Sequence, residues 1–294
     1  MSGERPLRLA TRGSAQARTQ AQGIADALTA YSGRDVELVL VETLGYRTQQ
    51  AGVPLHTIGG QGVFVKEIQH AVLRGDADMA VHSAKDLPST PSDGLVIAAF
   101  CARRDARDVL VGATLDELPA GATVATGSVR RRAQLAVARP DLAFVELRGN
   151  IHTRLGKVPP GGAVVMAAAA LDILGLLDRI AQHLPPSTFV PSPGQGCVAV
   201  ECRTDDAQMI EVLATIDHHA SRRAVEVERA FLAELGSGCS LPVGAHATGN
   251  TLTAFLAAAD GRRHLLETAE LPADHDTGLA RSAALARSMH ERLR

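Results

Sequence analysis

Met79-Ala-Val-His82-Ser83-Ala-Lys85-Asp86-Leu87-Pro88 changes character within one step. Met79, Ala80 and Val81 form a short apolar run of the kind that makes a buried strand. His82, Ser83, Lys85 and Asp86 fall where that strand should end. Pro88, with no N–H to give to a ladder, blocks its continuation in a central sheet. In open α/β sheets, ligands bind outside the carboxyl ends of strands. A Lys beside an Asp at such a place is either a site or a salt-bridged loop, and the rest of the chain must decide which.

Working upstream, Leu7 to Thr11 reads as a strand and Ser14 as a helix cap. Ala17, Ala21, Ile24, Ala25 and Leu28 recur at helical spacing. Val36 to Val41 has the Val and Leu content of a buried parallel strand. Residues 43–57 are loop-like, and Gly59-Gly-Gln61-Gly62 then opens a helix with Phe64, Ile68, Ala71 and Val72 on one face. Strand and helix alternating in this way predict a parallel sheet.

Downstream, Leu95 to Phe100 is a further strand, and Cys101 to Asp108, rich in Arg and Asp, reads as a crossing between domains. A second α/β series starts at Thr123-Val-Ala and passes through Thr126-Gly127-Ser128 into a helix. Strands over 142–147 and 163–166, a helix carrying Arg154 and a helix over 167–177 follow. The segment 185–196 holds four prolines and two glycines and reads as a linker or ligand loop. Cys197 to Arg203 is a strand expected back in the first domain. Two helices, strands over 243–248 and 251–258 and a final amphipathic helix complete the chain. The expected organisation is two α/β domains, residues 1–101 with 198–217 and residues 102–197, and a small α+β domain over 218–294.

The 294 residues carry a net charge of −2, which argues against a nucleic-acid partner. Aromatics are 3% with no Trp, so base-stacking platforms are not expected. The longest apolar tract, 163–177, is interrupted by Asp172 and falls short of the about 20 residues a membrane span requires. The N-terminal residues lack the apolar core of a secretory signal. A soluble cytoplasmic protein without a membrane partner is expected. None of the four cysteines forms a CxxC, so no metal site is expected. Cys101, Cys197 and Cys202 read as buried thiols. Cys239, in Gly-Ser-Gly-Cys-Ser-Leu-Pro, lies in a loop after a helix, where a reactive and an inert thiol are equally open readings.

The arginines are unevenly placed. Arg12 follows the first strand, Arg130 and Arg131 open the helix after Thr126-Gly-Ser128, Arg148 follows another strand, and Arg154 lies on the next helix. Guanidinium binds carboxylate in a bidentate fork, and exposed N–H groups at a helix start add to anion affinity. The pattern suggests a substrate with several negative groups. Asp86, ionised among such cations, could stabilise a cation or relay a proton. His82 reads as a structural residue bonding the backbone.

With these residues in place the chain resembles the porphobilinogen deaminases, or hydroxymethylbilane synthases, along essentially its whole length. The motifs are Ala10-Thr-Arg12-Gly-Ser14; Gly59-Gly-Gln-Gly-Val-Phe64-Val-Lys66-Glu67; Ala80-Val-His-Ser83-Ala-Lys85-Asp86-Leu-Pro88; Thr126-Gly-Ser128-Val-Arg130-Arg131; Leu147-Arg148-Gly149-Asn150 with Thr153-Arg154; Pro193-Gly-Gln195-Gly196; Glu201-Cys-Arg203; and Gly238-Cys239.

The resemblance implies two α/β domains like those of periplasmic binding proteins around a cleft, with a third domain carrying the cofactor. It implies a transferase that joins four porphobilinogens head to tail with release of ammonia, yielding hydroxymethylbilane for tetrapyrrole (haem) biosynthesis. The primer is a dipyrromethane, held through a thioether to Cys239 by the motif match. Asp86 matches the catalytic carboxylate. It would face the pyrrole nitrogens and stabilise the cationic azafulvene that the next ring attacks. Lys85, Ser83, Thr126, Ser128, Arg130 and Arg131 match cofactor-binding positions; Arg12, Ser14, Arg148, Arg154 and Gln195 match substrate-binding ones. A monomer is expected, with its product passed to uroporphyrinogen-III synthase.

Gln61 and Thr57 stand where family members often carry Lys, Tyr46 where Asp is usual, and Ser240 where Gln is common. These departures bear on affinity or elongation rate. The competing readings are an altered paralogue that binds an anionic ligand, supported by Tyr46 and Gln61, and a plain solute-binding protein, which the Gly238-Cys239 loop argues against.

Overall fold

A computed structural model describes residues 5–42, 65–236, 241–258 and 263–294. In chain order its elements are β1 (Leu7–Arg12), α1 (Ala15–Ser32), β2 (Val36–Val41), α2 (Lys66–Leu73), β3 (Met79–Ser83), β4 (Leu95–Phe100), β5 (Asp108–Val111), β6 (Thr123–Ala125), α3 (Val129–Ala138), β7 (Ala143–Val145), α4 (Ile151–Leu155), β8 (Ala163–Ala167) and α5 (Ala168–Asp172). Then come β9 (Gln182–His183), β10 (Val198–Arg203), α6 (Ala207–Ala214), α7 (His219–Glu234), β11 (Val243–Thr248), β12 (Thr251–Ala257), β13 (His264–Glu270) and α8 (His275–Leu293). By its internal contacts the chain divides into two units, Met1–Arg103 with Cys197–Arg222, and Arg104–Gly196 with Arg223–Arg294.

The first unit is built on a sheet of order β2-β1-β3-β10-β4. β1 runs parallel to β2 and β3, and β10 lies antiparallel between β3 and β4, so the sheet is mixed rather than parallel throughout. β3 is central and all five of its residues are buried. Alternate side chains go to opposite faces. Met79 and Val81 join Leu9, Ile24, Leu28 and Leu213 in one core, and Ala80 joins Ile68, Val72 and Leu95 in another. Each fully buried Leu or Ile stabilises the fold by about 1.5–3 kcal/mol. Ser14 caps α1 by accepting the Ala17 N–H at 3.3 Å, as its sequence position predicts.

Two expectations need correcting here. β2 is an edge strand and only partly buried, because nothing pairs beyond it among the described residues. β3 does not end at Val81. Pairing of Val198 with Ser83 and of Ala199 with His82 carries it two residues further, into a 3-10 turn over Ala84–Asp86.

The second unit holds a mixed sheet of order β7-β6-β8-β5-β9 and an antiparallel meander β11-β12-β13. Leu110, Val124, Leu135 and Val165 form a core on one side of the first of these sheets, and Val109, Val111, Val164 and Leu171 one on the other. α8 and α7 cover the meander through Leu285, Met289, Val227 and Phe231. The crossing read over 101–108 ends in β5, an inner strand between β8 and β9. The helix expected over 167–177 stops at Asp172. Gly175 takes φ +67, and the Leu176 N–H turns back to the Leu171 carbonyl at 2.9 Å. No helix among the described residues is long and apolar enough to cross a membrane.

Candidate active site

In the first unit the parallel register Ala10 to Ala80 brings the carboxyl ends of β1 and β3 side by side. Arg12 closes β1, and the 3-10 turn after β3 carries Lys85 and Asp86. That turn is fixed by the Ala84 N–H, which donates to the Cys197 carbonyl at 2.9 Å. Arg12 Nη2 donates to Asp86 Oδ2 at 3.2 Å, with side-chain exposures of 27% and 31%. Both charges therefore remain open to a ligand. Lys85 is half-buried beside them. Ser14 is also half-buried, its hydroxyl capping α1, and the Ser83 hydroxyl stands 3.5 Å from Gln20 Oε1.

His82 has a partner that its sequence position did not suggest. Its Nε2 lies 3.0 Å from Glu201 Oε2, off the line of a hydrogen bond, and both side chains are buried. Glu201 also receives Gln69 Nε2 at 2.9 and 3.2 Å, and Gln69 Oε1 accepts from the Ser92 hydroxyl at 3.0 Å. This polar cluster lies on the face of β3 that also carries Ala80. The missed signal was a carboxylate inside the apolar run Cys-Val-Ala-Val-Glu-Cys.

In the second unit Thr126 follows β6 and Ser128 caps α3, accepting the Arg131 N–H at 3.4 Å. Thr126 Oγ1 accepts the Ser128 N–H at 3.2 Å. A Cβ on Gly127 would stand 2.8 Å from the Leu147 carbonyl oxygen, so glycine lets the ends of β6 and β7 approach. Arg148, just beyond β7, has its Nε 3.3 Å from Glu146 Oε1 and a side chain 24% exposed. Arg154 Nε donates to the Gly149 carbonyl at 2.8 Å.

Arg130 and Arg131 lie deeper than expected for ligand-binding residues, 5% and 7% exposed. Both pair with Asp108, the fully buried first residue of β5. Burial alone would raise the Asp108 carboxyl; the two guanidinium charges outweigh it and hold the group well below the usual carboxylate range. Gln195, expected at the substrate, is 1% exposed and donates to Asp108 Oδ1 and the Ala106 carbonyl, both at 2.8 Å. Asp108 was absent from the sequence-derived set because it ends a charge-rich run that reads as surface.

Cys239 with Gly238 and Ser240, the Gly59–Gly62 loop with Gln61, Phe64, and the Tyr46 and Thr57 departures lie outside the described residues. Burial pushes the Cys101 thiol up to about 12 and Cys202 up to about 11, so neither supplies thiolate near neutrality. Within the second unit, Arg148, the hydroxyls of Thr126 and Ser128 and the capped helix start form a donor set suited to carboxylates. A dipyrromethane, whose pyrroles bear acetate and propionate groups, fits that chemistry.

The comparisons with known proteins agree with it. A family model described as porphobilinogen deaminase, dipyromethane cofactor binding domain, matches residues 7–211, and the C-terminal domain model of the same family matches residues 222–291. The chain is 48% identical over 248 residues to porphobilinogen deaminase of Thermobifida fusca, covering 82% of this chain and 77% of the relative. To porphobilinogen deaminase 1 of Streptomyces coelicolor it is 44% identical over 306 residues, covering 97% and 95%. Among solved structures it is similar to a TRAP periplasmic solute binding protein from Desulfovibrio salexigens, with TM-score 0.43 and 11% identity, covering 74% of this chain and 73% of that one. With both domain models matched in order and a 44% identical relative aligned over 97% of the chain, the chain belongs to the porphobilinogen deaminase family.

Proposed function

We propose that this chain condenses four porphobilinogens head to tail on a dipyrromethane held by Cys239, releasing four ammonia molecules, and that hydrolysis by one water frees hydroxymethylbilane. The observation that carries the reading is the pairing of Asp86 with Arg12 at the adjacent carboxyl ends of β3 and β1, with both charges still partly open. When bound, the dipyrromethane would supply the terminal pyrrole carbon that takes the first unit.

Asp86 is the catalytic carboxylate. It accepts the pyrrole N–H and stabilises the positive charge that develops on a porphobilinogen ring as ammonia leaves, which is electrostatic catalysis with a proton acceptor at hand. Arg12, Arg148 and Arg154 pair with substrate acetate and propionate groups, and Lys85 adds a cation beside Asp86. Ser14 and Ser83 line the first strand-end cluster. Thr126 and Ser128, at the start of α3, bind carboxylate oxygens of the cofactor together with Arg130 and Arg131. Gln195 acts on that pair through Asp108. Residues 218–294 serve as the third domain, a reading supported by their own three-stranded sheet. The protein works as a cytoplasmic monomer on a small-molecule substrate and hands its product to uroporphyrinogen-III synthase.

Intact mass spectrometry tests the reading. Protein made where porphobilinogen is available should exceed its sequence mass by two linked pyrrole units, and Cys239→Ala should not. A wild-type mass equal to the bare chain would overturn the assignment.

A further inference from the structure

We propose that Asp108 is a positioning residue for this reaction: one buried carboxylate that aims the guanidiniums of Arg130 and Arg131 at the carboxylates of the pyrrole ligand. The proposal rests on the functional reading above and assigns that site a further residue.

Adjacent helical residues diverge by about 100° around the axis, yet both arginines converge on this one group. Arg130 Nη1 reaches Oδ2 at 2.6 Å; Arg131 Nε and Nη2 reach Oδ1 at 3.0 and 2.7 Å. Gln195 Nε2 supplies a further donor to Oδ1 at 2.8 Å. Both guanidiniums are also tied to backbone, Arg130 Nη1 to the Val190 carbonyl at 2.8 Å and Arg131 Nη1 to the Val165 carbonyl at 3.1 Å. The Gln195 loop is itself anchored. The Gly194 N–H donates to the buried Glu228 at 2.7 Å, and Gly196 holds φ +84 where a Cβ would meet the Arg104 carbonyl oxygen at 2.7 Å.

Two features separate this cluster from an ordinary structural ion pair. Its charge does not balance, since two guanidiniums share one carboxylate, and an excess buried ion is costly unless another charge meets it. Its donors are also not all used. Among the described residues, Arg130 Nε and Nη2 have no acceptor, although the residue is only 5% exposed. The same two arginines sit in the first turn of a helix capped by Ser128, where backbone N–H groups favour an anion. Excess positive charge, unused donors and a helix start coincide, and an anionic ligand resolves all three. Fixing two long side chains beforehand spares binding the rotamer entropy each would otherwise lose.

The test uses full-length apo-protein, made without porphobilinogen, mixed with porphobilinogen and followed by intact mass, then by steady-state kinetics of the loaded fraction. Asp108→Asn keeps the shape and removes the charge. It should gain the cofactor mass about tenfold to a hundredfold more slowly than wild type, the loss expected from misplaced binding groups. In its loaded fraction the KM for porphobilinogen should rise more than kcat falls. Gln195→Leu leaves every guanidinium contact with Asp108 and should shift both readouts in the same direction by less. If Asp108→Asn does not fold, Gln195→Leu decides. Loading rate and KM equal to or better than wild type in a folded variant would overturn the proposal, leaving Asp108 a stabilising group only. A wild-type control that gains no mass would instead overturn the functional reading itself, and this assignment with it.

Discussion

Replacing Asp86 by Asn tests its proposed catalytic role separately from stability. Asn has nearly the same shape, so the change removes one negative charge and little else. In the native protein that charge sits 3.2 Å from Arg12, with both side chains more than a quarter exposed. Ion pairs of such exposure are worth about 0–1 kcal/mol, so the melting temperature should move by less than about 4 °C. The cost to the transition state is larger. A carboxylate about 4 Å from a cationic pyrrole, at an effective dielectric of about 20, stabilises it by about 4 kcal/mol. The Asn amide oxygen still accepts the pyrrole N–H and recovers about 1 kcal/mol. The remaining loss of about 3 kcal/mol corresponds to a fall in kcat of roughly two orders of magnitude. The assay is porphobilinogen consumption by protein shown by mass to carry its cofactor, with thermal unfolding in parallel. A loaded variant turning over within about threefold of wild type would refute the reasoning. So would a kcat loss that merely follows a large drop in melting temperature.

Arg148→Leu removes a half-buried cation whose Nε stands 3.3 Å from Glu146 Oε1. Loss of one charge-assisted bond to a substrate carboxylate, about 1.5–3 kcal/mol, should lower kcat/KM by about tenfold to a hundredfold; unchanged kinetics would make Arg148 a surface residue. Asp78 predicts acid sensitivity. Burial would raise its carboxyl, but the Arg5 side chain and the Arg8 N–H outweigh burial and hold it down to about 2. A depressed folded-state value gives stability that is present above the unfolded value near 3.9 and lost as pH falls towards 2. Arg5 is 59% exposed and screened by solvent, so the contribution is about 1–2 kcal/mol. Denaturant midpoints between pH 5 and pH 2.5 should fall less in Asp78→Asn than in wild type, and parallel curves would rule the pair out.

Much of the first unit was legible because its signals are local. Ser14 sits one residue before an apolar face of helical spacing, and it caps that helix. Met79 to Val81 is apolar because β3 is buried on both faces. What escaped depends on neighbours distant in sequence. β3 continues through His82 and Ser83 only because β10 pairs with it across more than a hundred residues of chain. β5 hides behind the charged run 101–108, since its first residue, Asp108, looks like surface until Arg130 and Arg131 are brought to it. β13 was missed because its alternation His-Leu-Leu-Glu-Thr-Ala-Glu is weak and one face stays wet. The strand-end residues Arg12, Lys85, Asp86, Thr126, Ser128 and Arg148 could be read because polarity changes abruptly where strands stop. Gln195 could be named but not located, since composition says nothing of depth.

Burial divides the labour between two carboxylates that the sequence presents alike. Each is an Asp paired with arginine next to a strand, Asp86 in the turn after β3 and Asp108 at the start of β5. Asp86 keeps 31% of its side chain exposed and has one guanidinium at 3.2 Å, so its charge is only partly answered and a cation in contact with it gains the rest. Asp108 is fully buried and met by two guanidiniums and an amide, so its charge is answered in excess. The first arrangement attracts positive charge and the second attracts negative charge, although both are built from the same two residue types. A porphobilinogen that loses ammonia while its carboxylates stay ionised presents both signs, positive at the ring and negative at its acetate and propionate. An exposed Asp in the first unit suits the ring cation, and an over-paired Asp behind two arginines in the second suits ligand carboxylates. The arrangement also explains why exchanging their burial, rather than their identity, would be the more damaging change: an over-answered Asp86 could no longer meet a cation, and an exposed Asp108 would itself repel the acids.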